Sequence, residues 1–181
     1  MVRETLAAVL AAPRAPVQVV PVAVREPGTG EALVKMEACG LCHSDIFVAG
    51  LEKLPQLPLI LGHEGIGRVE SIGAGVTGFA RGDRVGITFL AASCGLCEFC
   101  LSGRERFCLK QRNFGFTVNG ALTAYATVPI PQLFRVDENL SAAEVAPLCC
   151  AGWTAYGAVR ESGLREGQTV ALFGMGGLGH L

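Results

Sequence analysis

Four cysteines in one short segment constrain this chain more than any other feature of its sequence. Cys94, Cys97, Cys100 and Cys108 follow the spacing C-x2-C-x2-C-x7-C. Four thiolates from one loop form a closed tetrahedral zinc site, which holds the backbone together. An iron–sulfur cluster or two disulfides are the alternatives, but the loop lacks the Cys-Pro ending typical of cluster-binding sequences. The spacing therefore predicts a structural zinc site in the segment 91–112.

The sequence around this loop is typical of a β-rich domain. The 181 residues include 24 glycines, and half of the chain is hydrophobic, which favours a turn-rich β fold with a substantial core. Short apolar runs separated by proline and glycine recur up to residue 90 and resume over 115–135. Beyond Ser141 the pattern becomes helical, with Glu144 at the capping-box position and a break near Pro147–Gly152.

Charge and hydropathy exclude several classes of protein. A net charge of −1 and a pI of about 6.3 argue against a nucleic-acid partner. No apolar run approaches the roughly 20 residues that span a bilayer, which argues against a membrane protein. The start TLAAVLAAPRA faintly resembles a signal peptide, but Glu4 interrupts its basic region, and we interpret it as a first strand. Cysteines spaced for metal rather than for disulfides predict a cytoplasmic protein.

A glycine-rich loop close to the end of the sequence suggests nucleotide binding. The stretch Gly174-Met175-Gly176-Gly177-Leu178-Gly179 has the pattern G-x-G-x-x-G and follows the apolar run TVALF. A buried strand, this turn and a helix would cradle a pyrophosphate, as in a Rossmann unit, although a plain glycine-rich turn is the alternative. The acidic residue that reads the ribose should follow about 20 residues later, beyond Leu181. We therefore expect a fragment that binds zinc but binds a nucleotide cofactor poorly and has little catalytic activity.

The remaining cysteines allow a second metal site. Cys39, Cys42, Cys149 and Cys150 stand outside the four-cysteine loop, and His63 is a histidine that could join them. A catalytic zinc has three protein ligands and one open position. Cys42, His63 and one late cysteine would form such a site from three distant segments. Each residue alone also has an ordinary interpretation, a core histidine or a buried thiol, so the residues by themselves leave both possibilities open.

Four motifs, taken in order, resemble those of zinc-dependent medium-chain alcohol dehydrogenases of the bacterial type. They are Cys39-Gly40-Leu41-Cys42-His43-Ser44-Asp45, Gly62-His63-Glu64-Gly65-Ile66-Gly67, the four-cysteine loop, and Pro147-Leu148-Cys149-Cys150-Ala151-Gly152-Trp153-Thr154. The resemblance covers essentially the whole chain. It implies a mainly β (α+β) GroES-like barrel over 1–150, the zinc-binding catalytic domain. It also implies the first β-turn-α element of an incomplete α/β Rossmann domain, which binds NAD or NADP, over 151–181. Full-length relatives form homo-oligomers.

The same resemblance assigns the ligands. It selects Cys42, His63 and Cys150 for the catalytic zinc, with Cys94, Cys97, Cys100 and Cys108 for the structural zinc. Cys39 and Cys149 are left as buried thiols. Glu64 matches a carboxylate near the metal, and Asp45 matches an acid that orients the ligand histidine and fixes its tautomer.

The implied reaction is reversible oxidation of an alcohol by NAD(P)+ to an aldehyde or ketone, with zinc as the Lewis acid. Ser44 matches the hydroxyl that takes the alcohol proton, and Phe89 matches a wall of the substrate pocket. The positions that match cofactor contacts are His43, Thr154, Gly174, Gly176, Gly177, Leu178 and Gly179.

Two departures from the family pattern bear on substrate and mechanism. Phe47 stands where many relatives carry the histidine that ends the proton relay, and Ala49-Gly50-Leu51-Glu52 replaces the common H-G-D-W stretch. The alcohol substrate and the choice between NAD and NADP therefore stay open, with an NADP-dependent polyol or cinnamyl-type dehydrogenase as a near alternative. A non-catalytic zinc-binding scaffold or interaction fragment is the alternative from another class, and a nucleic-acid zinc ribbon is a more distant one.

Overall fold

The computed structural model describes residues 3–181, and within them strands outnumber helices. The strands are β1 (Glu4–Leu10), β2 (Gln18–Ala23), β3 (Glu31–Gly40), β4 (Leu59–Ile60), β5 (Glu64–Ile72), β6 (Arg84–Ile87), β7 (Leu90–Ala92), β8 (Arg112–Asn113), β9 (Tyr125–Pro129) and β10 (Leu133–Arg135). The α-helices are α1 (His43–Ala49), α2 (Glu98–Leu101), α3 (Ala142–Val145) and α4 (Ala151–Ser162), and 3₁₀-helices occupy Glu105–Phe107, Ile130–Gln132 and Ala146–Cys149.

An antiparallel sheet of five strands, in the order β10-β6-β5-β3-β9, forms the centre of the fold. Burial of apolar side chains drives the packing. The sheet contributes Ala32, Val34, Val69, Val85, Ile87, Ala126, Val128 and Leu133 to a core that Ala91 of β7 and Phe114, just after β8, complete. The outer strands β9 and β10 do not pair with each other within residues 3–181, so the sheet stays open where a closed barrel is expected. The predicted mainly β class is confirmed.

Two smaller sheets complete the β structure and place the segment that precedes His63. One has the order β2-β1-β4 and the other pairs β7 with β8. Leu59 and Leu61, in and just after β4, pack with Val48 of α1 in a separate apolar cluster. This contact holds α1 beside the chain that leads into β5, so two distant parts of the sequence meet at one end of the central sheet.

The chain from Ala142 to Ser162 is helical, as predicted, with a change of helix type near Pro147–Gly152. Ser141 is the N-cap of α3 and Glu144 lies in its first turn, as predicted, but the Ser141 side chain makes no capping hydrogen bond. Helix α3 has only four residues. No helix among residues 3–181 is long and apolar enough to cross a membrane, the longest having 12 residues.

The predicted buried strand over 169–173 is absent. These residues form no strand and are exposed, Phe173 to 97%. A strand requires a neighbour with which to exchange main-chain hydrogen bonds, and none of the sheets formed by residues 3–181 includes this segment. The glycines that follow do form a turn, with Gly174 at φ 92°. A local apolar pattern was therefore insufficient to form this strand.

The central sheet gives a direct test of the core. Ile87 of β6 is fully buried, whereas Ile72 at the end of β5 is 41% exposed. We expect Ile87→Ala to lower the free energy of unfolding by about 2–5 kcal/mol, because a buried cavity replaces the side chain. Ile72→Ala is the matched control and should change it by less than about 1 kcal/mol. Urea denaturation followed by Trp153 fluorescence measures both, and equal losses would contradict the packing described here.

Candidate metal centres

Two groups of side chains among residues 3–181 bring metal-ligating atoms within 4.8 Å of one another, and the first is the four-cysteine loop. The Cys94 and Cys100 sulfurs are 3.9 Å apart and the Cys97 and Cys100 sulfurs 3.5 Å apart. A tetrahedral zinc with Zn–S bonds of about 2.3 Å places its sulfur ligands about 3.8 Å apart. The donor set and its spacing therefore fit zinc, and none of the eight cysteines is in a disulfide.

The loop folds so that its own backbone supports the sulfurs. Cys97 is the N-cap of the short helix α2, and the Cys94 N–H lies 3.4 Å from the sulfur of Cys108. Gly95 and Gly103 have φ values of 71° and 70°, which reverse the chain on either side of α2. Backbone N–H groups of Leu96 and Cys97 lower the pKa of Cys94 to about 6. This thiolate is therefore favoured at neutral pH, the form in which cysteine binds metal.

The second group consists of Cys42, His63, Glu64 and Cys150, which come from three separate segments. The sulfurs of Cys42 and Cys150 lie 3.9 Å apart although 108 residues separate them in the chain. That distance again fits two thiolates on one tetrahedral zinc. Two thiolates, an imidazole and a nearby carboxylate form a donor set typical of a zinc site with an exchangeable position.

Helix α1 positions Cys42. Cys42 is its N-cap, its sulfur accepts the Ser44 N–H at 3.5 Å, and its own N–H donates to Asp45 at 2.9 Å. Partial burial acts to raise the pKa of Cys42, but hydrogen bonds with Ser44 and His63 outweigh burial and lower that pKa. The helix start thus stabilises a thiolate at the position where the ligand is needed.

Asp45 positions His63. One carboxylate oxygen of Asp45 lies 3.4 Å from His63 Nδ1 and accepts the Gly62 N–H at 3.0 Å. Burial acts to lower the pKa of His63, but hydrogen bonds with Asp45, Cys150 and Cys42 outweigh it and raise that pKa to about 10. Hydrogen bonds with His63 and with the N–H groups of Cys42 and Gly62 lower the pKa of Asp45 against the effect of burial. Because Nδ1 faces Asp45, Nε2 is the ring nitrogen left for a metal.

Close contacts of Gly62 with distant glycines shape the approach to His63. Gly62 has φ 92°, and a Cβ atom there would lie 2.8 Å from the backbone N of Leu122. A Cβ atom on Gly120 would lie 2.1 Å from the Gly62 carbonyl oxygen, and one on Gly115 would lie 2.8 Å from the Gly62 N. These glycines let two backbones touch beside the site. More than 50 residues separate Gly62 from its partners, so no local pattern reveals the contact.

Glu64 is buried beside the two thiols. Its side chain fills the space above Gly40 of β3, where a Cβ atom would lie 2.0 Å from a Glu64 carboxylate oxygen. Burial raises the pKa of Glu64, while His63 acts in the opposite direction. A carboxylate held this close to Cys42 is available to the same ion as the three predicted ligands.

Cys39 and Cys149 lie outside the group of possible ligands. Burial raises the pKa of each thiol to about 12. Their sulfurs face backbone carbonyls, that of Gly40 for Cys39 and that of Gly65 for Cys149. Both thiols therefore favour the protonated form; Cys149 is buried and Cys39 is half-buried.

The other predicted residues surround this cluster at the surface. His43 and Ser44 are exposed at the start of α1, and Phe47 is 62% exposed on the same helix. The Phe89 ring contacts His63 edge-on, with ring centroids 5.2 Å apart. Thr154 is exposed on α4, where its N–H donates to the Cys150 carbonyl at 2.9 Å.

The predicted pyrophosphate loop is accessible to solvent. Gly174, Gly176, Gly177, Leu178 and Gly179 lie in exposed or half-exposed backbone with no buried residue among them. A Cβ atom on Gly179 would lie 1.9 Å from the Gly174 carbonyl oxygen, so the turn closes tightly on itself.

Comparison with known proteins gives a consistent result. The sequence profile of the alcohol dehydrogenase GroES-like domain matches residues 28–138. An alcohol dehydrogenase of Geobacillus stearothermophilus is 44% identical over 177 residues, 97% of this chain and 52% of the relative. The chain thus spans about half the length of the curated relatives that it matches.

Solved structures of dehydrogenases superimpose on this chain. A cinnamyl alcohol dehydrogenase from Sorghum bicolor superimposes with a TM-score of 0.88 at 31% identity, over 98% of this chain and 54% of that one. A zinc-binding dehydrogenase from Sinorhizobium meliloti, bound to NADP, superimposes with a TM-score of 0.85 at 32% identity, over 92% and 48%.

Asp45 offers a test of how the site is held. Asp45→Ala should lower the free energy of unfolding by about 3–5 kcal/mol, because it leaves the N–H groups of Cys42 and Gly62 and the ring of His63 without their buried partner. Asp45→Asn keeps one acceptor oxygen and should lose less. Chemical denaturation of chelator-treated protein measures both, and an Asp45→Ala variant as stable as the wild type would contradict the anchoring role.

Proposed function

The chain belongs to the alcohol dehydrogenase GroES-like domain family, and we propose that it provides the zinc-binding catalytic domain for reversible hydride transfer between an alcohol and NAD(P)+. The products are an aldehyde or ketone and NAD(P)H. The observation that carries the proposal is the convergence of Cys42, His63 and Cys150 on one point from three distant segments. A purely structural metal site needs no such convergence, since one loop with four ligands suffices for it.

Two zinc ions are proposed, one for each cluster. Cys94, Cys97, Cys100 and Cys108 would hold a structural ion, and Cys42, His63 and Cys150 a catalytic one. When bound at the second cluster, zinc supplies Lewis-acid polarisation of an alcohol or carbonyl oxygen. Glu64 is proposed as a further carboxylate near the same ion, and its burial within the cluster supports a role close to the reacting groups.

The side chains around the ion orient the ligands and move the proton. Asp45 holds the His63 ring through Nδ1, which keeps Nε2 directed at the cluster. Ser44 lies two residues after the ligand Cys42, and its hydroxyl is proposed to take the alcohol proton. Phe47 has no group that accepts a proton, so the proton passes from Ser44 to water; the exposure of Ser44 supports this route.

Substrate and cofactor contacts are proposed on the exposed side of the cluster. Phe89, in edge contact with His63, would form an apolar wall against the substrate. The residues proposed to contact NAD or NADP are His43, Thr154, Gly174, Gly176, Gly177, Leu178 and Gly179. Their exposure supports this role, as does the NADP bound to the Sinorhizobium meliloti dehydrogenase.

A boundary after residue 150 is proposed between the zinc-binding domain, 1–150, and the start of a nucleotide-binding domain, 151–181. In its support, the last buried residue is Cys149, and everything described after it is exposed or half-exposed. A reducing, cytoplasmic setting is proposed as well, supported by the eight free thiols.

Zinc content tests the two clusters separately. We expect two zinc ions per purified chain by elemental analysis and one in Cys42→Ser, because that substitution removes a ligand from the second cluster only. Cys39→Ser is the matched control, three residues away and outside both clusters, and should retain two ions. A wild-type chain with a single ion, unchanged in Cys42→Ser, would leave a non-catalytic zinc-binding scaffold as the function.

An exchangeable position at the second cluster is the property that separates catalysis from structure. After replacement of zinc by Co²⁺, addition of trifluoroethanol, an alcohol analogue, should change the visible absorption of the cobalt, because a catalytic site admits an outside oxygen ligand and a closed site does not. Cys42→Ser should abolish the change, and Cys39→Ser should preserve it. A spectrum that does not respond in the wild type would contradict the proposed activity and would do so without depending on cofactor binding.

A further inference from the structure

A buried arginine outside both clusters fixes the segment that carries Cys150. We propose that Arg84 is a positioning residue for the metal centre of Cys42, His63 and Cys150, acting through the turn 137–140 from which the Cys150 segment departs. The inference rests on the proposed function, and it adds to the site a residue that touches none of the ligands.

Arg84 donates hydrogen bonds to the backbone carbonyls of that turn and to Glu37. It lies in β6 with only 5% of its side chain exposed, and its Nε donates to Glu37 at 2.9 Å. Its Nη1 donates to the carbonyl oxygens of Asp137 at 2.7 Å and Leu140 at 2.6 Å, with that of Glu138 at 3.4 Å. A buried guanidinium is tolerated only when such partners are in place. The planar, forked group therefore fixes the turn in one position.

A second arginine closes a network around the same turn. Arg68 contacts Glu37 at 2.7 Å and Glu138 at 2.6 Å, so Glu37 joins the two arginines. Arg68 is 42% exposed, and its partner Glu138 is 61% exposed. Ion pairs this exposed contribute little to stability. Within this network, the buried Arg84 is thus the member that restrains the turn.

The turn is the starting point of the Cys150 segment. Val136, just before it, donates its N–H to the Arg84 carbonyl at 3.1 Å. After it come α3 and the 3₁₀-helix Ala146–Cys149, whose buried Ala146 and Cys149 pack on Ile66 of β5. Ile66 follows His63 by three residues in the chain. The segment therefore begins at the turn held by Arg84 and packs on the strand that follows the ligand histidine.

Cys150 itself has few restraints of its own. Its N–H bonds within the segment, to the Pro147 carbonyl at 3.2 Å, and the residue is only half-buried. Metal–ligand distances tolerate shifts of only about 0.2 Å. A small displacement of the turn is therefore enough to weaken the cluster. The four-cysteine loop draws all its ligands from one stretch, 94–108, and is independent of Arg84.

The experiment measures zinc release from metal-loaded protein mixed with an excess of a colour-forming chelator. We expect two release phases in the wild type, one of which is missing in Cys42→Ser and so belongs to that cluster. Arg84→Met should accelerate this phase by about 10-fold, the lower end of the loss of metal affinity that follows removal of a group bonded directly to a ligand. The other phase should not change. Arg84→Lys, which keeps the charge but not the fork, should accelerate the same phase less.

Two controls separate positioning from general loosening. Arg68→Met removes the exposed arginine of the same network, and Val128→Ala removes buried volume in β9, away from the turn. Both should release zinc like the wild type. Equal release by wild type and both Arg84 variants, or equal acceleration in either control, would overturn the role of Arg84. A wild type that releases only one zinc ion would overturn the proposed function, and this inference with it, before any Arg84 variant is compared.

Discussion

The buried carboxylate of Asp45 accepts hydrogen bonds from the Cys42 and Gly62 N–H groups and contacts Nδ1 of the His63 ring at the same time. Through these bonds Asp45 caps α1, fixes the turn into β5 and orients an imidazole. Two ligands that are 21 positions apart in the chain are thereby tied to one side chain. A buried ion pair of this kind adds little net stability on its own, but it fixes geometry, since removing one partner leaves the other uncompensated.

The packing around this carboxylate explains why the region is rich in glycine. Gly62, Gly115 and Gly120 bring two stretches of backbone into direct contact beside His63, at distances that leave no room for a side chain. Gly40 of β3 similarly makes room for the Glu64 carboxylate. The donors of the cluster are therefore held close together by backbone from several strands.

The two clusters differ in what holds them. The four-cysteine loop depends on its own turns and on a closed set of sulfurs, so its spacing is visible in the sequence. The cluster of Cys42, His63 and Cys150 depends on the central sheet, on α1 and on the clamped turn 137–140. The first cluster is therefore held locally, whereas the second is held by contacts between distant parts of the chain.

The sequence by itself determined the local features: the mainly β class, the spacing of Cys94 to Cys108 and the helical stretch after Ser141. By resemblance it also indicated which of the neighbouring thiols Cys149 and Cys150 faces the cluster. Only the tertiary structure decided the rest. The glycine contacts of Gly62 and the carbonyl partners of Arg84 join residues more than 50 positions apart, which no local pattern encodes. The missing strand over 169–173 has the same cause, because a strand forms only where another is in place to share its hydrogen bonds.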